Sequence, residues 1–136
     1  MKLATDPLRI TTAAVTVILG AIHLQLYMES YKDIPIDNIG RSFLLNAVAS
    51  LTAAAVVMLW SHQLAPAAPL LLANSTLIAF GLSRTDRGIF GFTERGWSPT
   101  PQAAAAVAAE IAAAVFATLA LATTRTTETD IESMRS

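Results

Sequence analysis

His23, Asn46, Asn74 and Glu110 each interrupt a long apolar stretch of this 136-residue chain. An imidazole beside a carboxyl can share or relay a proton, and an amide can donate and accept hydrogen bonds together. Ionisable groups are costly in hydrocarbon, so such residues mark candidate sites. Tyr27 follows His23 by one helical turn, and residues so spaced share a helix face. Gln25 and Ser75 are further polar groups in these stretches. Asparagine and serine also bond across helices purely as packing, which is the plainer expectation for Asn46, Asn74 and Ser75.

The stretches that must position these groups are four, at residues 8–28, 39–60, 66–83 and 102–123. A hydrocarbon core about 30 Å thick takes about 20 helical residues, and each stretch reaches that length or falls within a turn of it. The expected fold is all-α, an antiparallel four-helix transmembrane bundle. It forms one domain over residues 1–123, with a disordered polar tail at 124–136. Only 14% of residues are charged and 54% are hydrophobic, against about 25% charged in an ordinary soluble domain. Lys2 and Arg9 precede the first stretch as in a signal peptide, but no small-residue cleavage pattern follows, so it is expected to be retained.

Asp6-Pro7 and Thr100-Pro101 are helix-start signals, and Pro35 breaks the chain between the first two helices. The connection at residues 61–65 is tight, so the second and third helices are expected to be antiparallel neighbours. Four spans put both termini on one side. Lys and Arg are nearly balanced between the two sides, and Lys2 and Arg9 beside the first span favour cytoplasmic termini in a multi-pass cell-membrane protein.

Measured from the membrane face carrying the two longer loops, His23 and Asn46 lie about 9 Å deep, Glu110 about 12 Å and Asn74 about 15 Å. All four helices therefore carry a polar group in one half of the bilayer. Turned inward, these groups form one cluster, with Tyr27 nearer the surface. Glu110 costs about 2.5–3.5 kcal/mol at a helix centre, and the alanine-rich fourth helix offsets little of it. Glu110 should therefore face the other helices, with His23 as its partner. Phe90 and Phe92, on the glycine frame 88–91, are expected as interface anchors or as a flap over the cluster.

Several chemistries are excluded. The chain has no cysteine, hence no disulfide, thiolate metal site or iron–sulfur cluster. His62 lies in the short connection, across the membrane from His23, so the two cannot share a haem, and no zinc set is present. No cofactor is expected. There is no basic stripe, nucleophile elbow, phosphate loop or HExxH motif, and no nucleic-acid partner is expected.

The segments His23-Leu24-Gln25-Leu26-Tyr27, Tyr31, Ile34-Pro35, Phe43-Leu44-Leu45-Asn46 and Gly88-Ile89-Phe90-Gly91-Phe92 with Glu94 resemble segments of small four-helix integral membrane proteins of the actinobacterial kind. In size and helix count the chain is also similar to the DoxX-like group. The resemblance implies a four-helix bundle and supplies no activity.

The leading expectation is a non-enzymatic membrane module. It is an accessory subunit, or a binder of a lipophilic ligand, quinone-like or lipid, at the His23/Glu110 cluster. One alternative is a proton-coupled transport component in which Glu110 titrates and His23 relays. Another is a quinone-handling redox subunit whose partner supplies the electron carrier. Small residues on the fourth helix favour association into homo-oligomers or a larger membrane complex.

Overall fold

The computed structural model describes residues 6–133, apart from the side chains of Asp37 and of residues 124–133. Lys2 and the last three residues of the expected tail lie outside the described residues. Among the described residues there are four α-helices: α1 (Pro7–Leu26), α2 (Asp37–Leu59), α3 (Ala67–Ser83) and α4 (Gln102–Ser133). Among the described residues three segments are long and apolar enough to cross a membrane, Pro7–Tyr31, Asn38–Leu59 and Gln102–Thr123. α3, at 17 residues, is a turn shorter, about 25 Å.

Local signals account for most helix ends. Asp6 accepts the Leu8 amide at 3.1 Å with Pro7 at the first helical position, satisfying a donor the helix leaves free. The Thr100 hydroxyl instead donates to the Trp97 carbonyl at 2.8 Å, so the second expected cap does not form as one. α2 ends where Trp60 turns extended. There the buried Arg9 guanidinium donates to the carbonyls of Val57, at 2.7 and 3.2 Å, of His62, at 3.3 Å, and of Trp60. A cation is favoured at that end by the helix dipole. α4 does not stop at Thr123 but continues to Ser133, through the segment expected as a disordered tail. No Gly or Pro follows Pro101, so nothing breaks the helix.

The helices form an antiparallel bundle in which α1 packs on α2 and α4, and α4 packs on α3. The seam between α2 and α3 is the loosest of the four, despite their short connection. That connection ties only their ends. Buried positions on α4 are Ala103, Ala106, Glu110, Ala113, Ala117 and Ala120, an alternating three- and four-residue spacing like that of a coiled-coil seam. Glu110 thus occupies a seam position among alanines. On α1 the same spacing runs through Arg9, Thr12, Thr16, Leu19, His23 and Leu26.

Candidate functional site

The half of the bundle beneath the two longer loops contains a partly open cavity of about 470 Å³, with Glu110, His23 and Asn46 in its wall. Every helix contributes to that wall, α1 only through His23 and Leu26, α4 no farther along than Glu110. The cavity is therefore confined to this half.

His23 and Glu110 face each other at its inner end, Nε2 to Oε1 at 3.5 Å, and are only 3% and 1% exposed. His23 Nδ1 lies 3.0 Å from the Leu19 carbonyl oxygen. A carbonyl only accepts, so Nδ1 carries a hydrogen and donates it. Nε2 then either accepts a hydrogen bond from a carboxylic acid or, as part of an imidazolium, donates one to a carboxylate. Both arrangements leave the pair with no net charge, which lowers the cost of burying it. Glu110 Oε2 is buried without a hydrogen-bond partner among the described residues. Buried polar atoms are seldom left so.

Asn46 sits at the seam between α2 and α3. Its Nδ2 donates to Thr76 Oγ1 at 2.6 Å, and its Oδ1 accepts from Ser50 Oγ at 3.2 Å. The amide is thus committed to packing, as interhelical glue.

The loop-side end is closed by a network anchored on Tyr31. After α1 the backbone widens into a π-helical turn, Tyr27–Tyr31, in which the Lys32 amide reaches back five residues to the Tyr27 carbonyl at 2.9 Å. Tyr31, five residues after Leu26, is buried with it in the same cluster. Tyr31 stacks on Phe43 with ring centroids 3.9 Å apart and meets Phe92 edge-on at 5.9 Å. Its hydroxyl donates to Glu94 Oε1 at 2.7 Å, and Glu94 Oε2 pairs with Arg84 at 3.3 Å. Arg84 lies over the Phe80 ring and donates to the carbonyls of Gly96 and Ser98. Phe90 and Gly91, with φ of 53° and 77°, form a two-residue turn closed by paired hydrogen bonds between Ile89 and Phe92. Positive φ at both central positions suits such turns, and glycine at the second removes the steric cost there.

The expected cluster is thus gathered in part. His23, Asn46 and Glu110 line the cavity together, as do Phe90 and Phe92. Phe92 is half-buried in the roof, whereas Phe90 is exposed at the turn. Two expected members fall outside. Asn74 is exposed and its side chain donates back to the Leu70 carbonyl at 2.9 Å. Thr76, two residues on, holds the inward position. Tyr27 does not line the cavity, because the π-helical turn gives that role to Tyr31. Gly40 was a usable sign of that approach: a Cβ there would come within 2.8 Å of the Tyr31 carbonyl oxygen. Among the described residues no group of three metal-ligating side chains gathers. No protein-family model, curated protein or solved structure matches the chain.

Proposed function

We propose that this chain is an integral membrane protein that binds a lipophilic small molecule in the loop-side half of its bundle. The apolar body of the ligand fills the cavity and its polar head hydrogen-bonds to Glu110. The observation that carries this reading is the Glu110 carboxyl. One oxygen faces His23, the other is buried and unpartnered, and Glu110 belongs to the wall of a largely apolar cavity. A volume of about 470 Å³ lies within the usual range for small-molecule sites. A carboxyl oxygen accepts in either protonation state, so the matching head offers a hydroxyl, amide or ammonium hydrogen. Three apolar helices of spanning length support membrane insertion.

Binding is favoured over conduction by the other half of the bundle. There Thr12 and Thr16 donate to carbonyls of their own helix, and Leu19 and Val57 are wholly buried. Along the α1 seam Leu19 stands between Thr16 and His23, so the polar run from Arg9 is interrupted before it reaches the His23–Glu110 pair.

The test is an unbiased mass-spectrometric inventory of small molecules that co-purify from native membrane with the wild type and with Glu110→Gln. The expected result is one amphiphile enriched with the wild type and lost from a folded Glu110→Gln variant. Identical inventories from the two preparations would remove the reading.

A further inference from the structure

The cavity is roofed by aromatic rings at its loop-side end, and exposed residues stand along one of its sides. Tyr31, Phe43 and Phe92 close its loop-side end, braced by the Glu94–Arg84 pair. Among its lining residues, Ser42 and Leu45 of α2, Ser75 of α3 and Phe90 of the turn are exposed, Leu45 to 69%. These residues mark the opening, and the α2 and α3 members flank the loosest helix seam. Next to it Leu72 and Ala79 on α3 and Ala49 on α2 give an apolar wall beside the Asn46–Thr76 pair, while the unpartnered carboxyl oxygen of Glu110 is buried. A water-soluble ligand entering from the loops would meet the reverse order, an aromatic seal first. In a bilayer the side opening faces acyl chains.

We infer that the site is loaded sideways from the hydrocarbon between α2 and α3, and that its ligand is a single-chain amphiphile. The hydroxyl-type head reaches Glu110 and the tail trails through the seam into the bilayer. This rests on the binding reading above and adds the route and the ligand class. The Asn46–Thr76 hydrogen bond spans the seam and forms the inner sill of the opening.

The test uses the full chain in phosphatidylcholine nanodiscs, with 1-oleoylglycerol as the probe and glycerol as its head alone. Native mass spectrometry counts bound probe and follows its exchange against deuterated 1-oleoylglycerol. The wild type is expected to hold one 1-oleoylglycerol and no glycerol. Leu45→Trp and Ala79→Trp, which crowd the opening, should slow exchange about tenfold or more, equivalent to about 1.4 kcal/mol on the barrier. Leu45 is exposed, so its variant keeps the fold even if Ala79→Trp does not. Glu94→Gln, which loosens the seal, should exchange at the wild-type rate. Wild-type exchange in Leu45→Trp, or faster exchange in Glu94→Gln, would overturn sideways loading while leaving binding intact. Binding of glycerol alone would overturn the ligand class. Failure of the wild type to bind 1-oleoylglycerol would overturn this amphiphile class, and the Glu110→Gln inventory then decides separately whether any ligand binds.

Discussion

The two halves of the bundle use the same helices and pack in opposite ways. Beside the α2–α3 connection the seam residues are small: Ala13 of α1 packs on Ala54 and Val57 of α2, and Ala113, Ala117 and Ala120 of α4 are fully buried. Gly20 lets α2 come so near that a Cβ there would meet the Ser50 Cβ at 2.9 Å. Beneath the longer loops the seam carries His23, Leu26, Tyr31 and Phe43, and these larger groups surround a cavity instead of closing on one another. The difference extends to hydrogen bonding. In the closed half the hydroxyls of Thr12 and Thr16 bond to their own helix, at 2.7 and 2.6 Å, whereas in the open half Glu110 keeps a buried oxygen unpaired. Small residues drive close packing in lipid, where apolar burial gives helices no advantage over acyl chains. One half is packed for cohesion and the other leaves a cavity.

Substitutions in the closed half should therefore cost stability and leave the cavity's contents alone. The largest effect is expected at Arg9. Arg9→Met keeps the apolar stem but strips the hydrogen bonds to the Val57, Trp60 and His62 carbonyls. Hydrogen bonds to a charged group are worth about 1.5–3 kcal/mol, so a loss of about 3 kcal/mol is expected in SDS unfolding followed by circular dichroism. A loss below about 1 kcal/mol would show that this end of the bundle does not depend on the cation. Next comes Gly20→Val, whose side chain would run into Ser50 and the Ala47 carbonyl of α2. Overpacking of this kind costs about 2 kcal/mol, and the same titration reads it. In both variants the folded fraction should retain any co-purifying ligand. Parallel loss of ligand and stability would erase the distinction between the halves.

How far these halves could be read from the sequence depends on contrast. Helix number and antiparallel order were legible because apolar runs of spanning length and the Pro35, Pro66 and Pro101 breaks are strong local signals. The meeting of His23 and Glu110 was legible because each is a costly exception in its helix, so depth and cost together fix the inward face. α4 was otherwise opaque: with alanine on nearly every side, Glu110 alone set its phase. The same reasoning placed Asn74 wrongly. A neutral amide can satisfy itself on its own backbone, here the Leu70 carbonyl, and so carries no such constraint. Tyr31 escaped because a π-helical turn changes which residues share a face, and regular i, i+4 counting points to Tyr27 instead. The continuation of α4 to Ser133 was missed because composition speaks to hydrophobic burial and not to the absence of a helix breaker.

In the open half the expected effects are smaller and fall on exchange more than on folding. Tyr31→Phe keeps the stack on Phe43 and removes only the hydrogen bond to Glu94. A loss of about 1 kcal/mol is expected from the same unfolding titration. A loss above about 3 kcal/mol would make the roof a structural keystone on a par with Arg9.

The smallest effect is expected at Thr76, and it divides the halves most finely. Thr76 Oγ1 accepts from Asn46 and donates to the Leu72 carbonyl at 2.9 Å. Thr76→Val preserves shape and removes both bonds. Asn46 still accepts from Ser50, so only one of its amide bonds is lost. Hydrogen bonds between membrane helices average about 0.6 kcal/mol, and a stability change near that value is expected. If this bond is the sill of a lateral opening, the same variant should exchange a bound amphiphile faster than the wild type. A large loss of stability with unchanged exchange would mean that α2 and α3 are held together by Asn46 and Thr76 as firmly as α1 and α2 are at Gly20. The loose seam would then belong with the closed half.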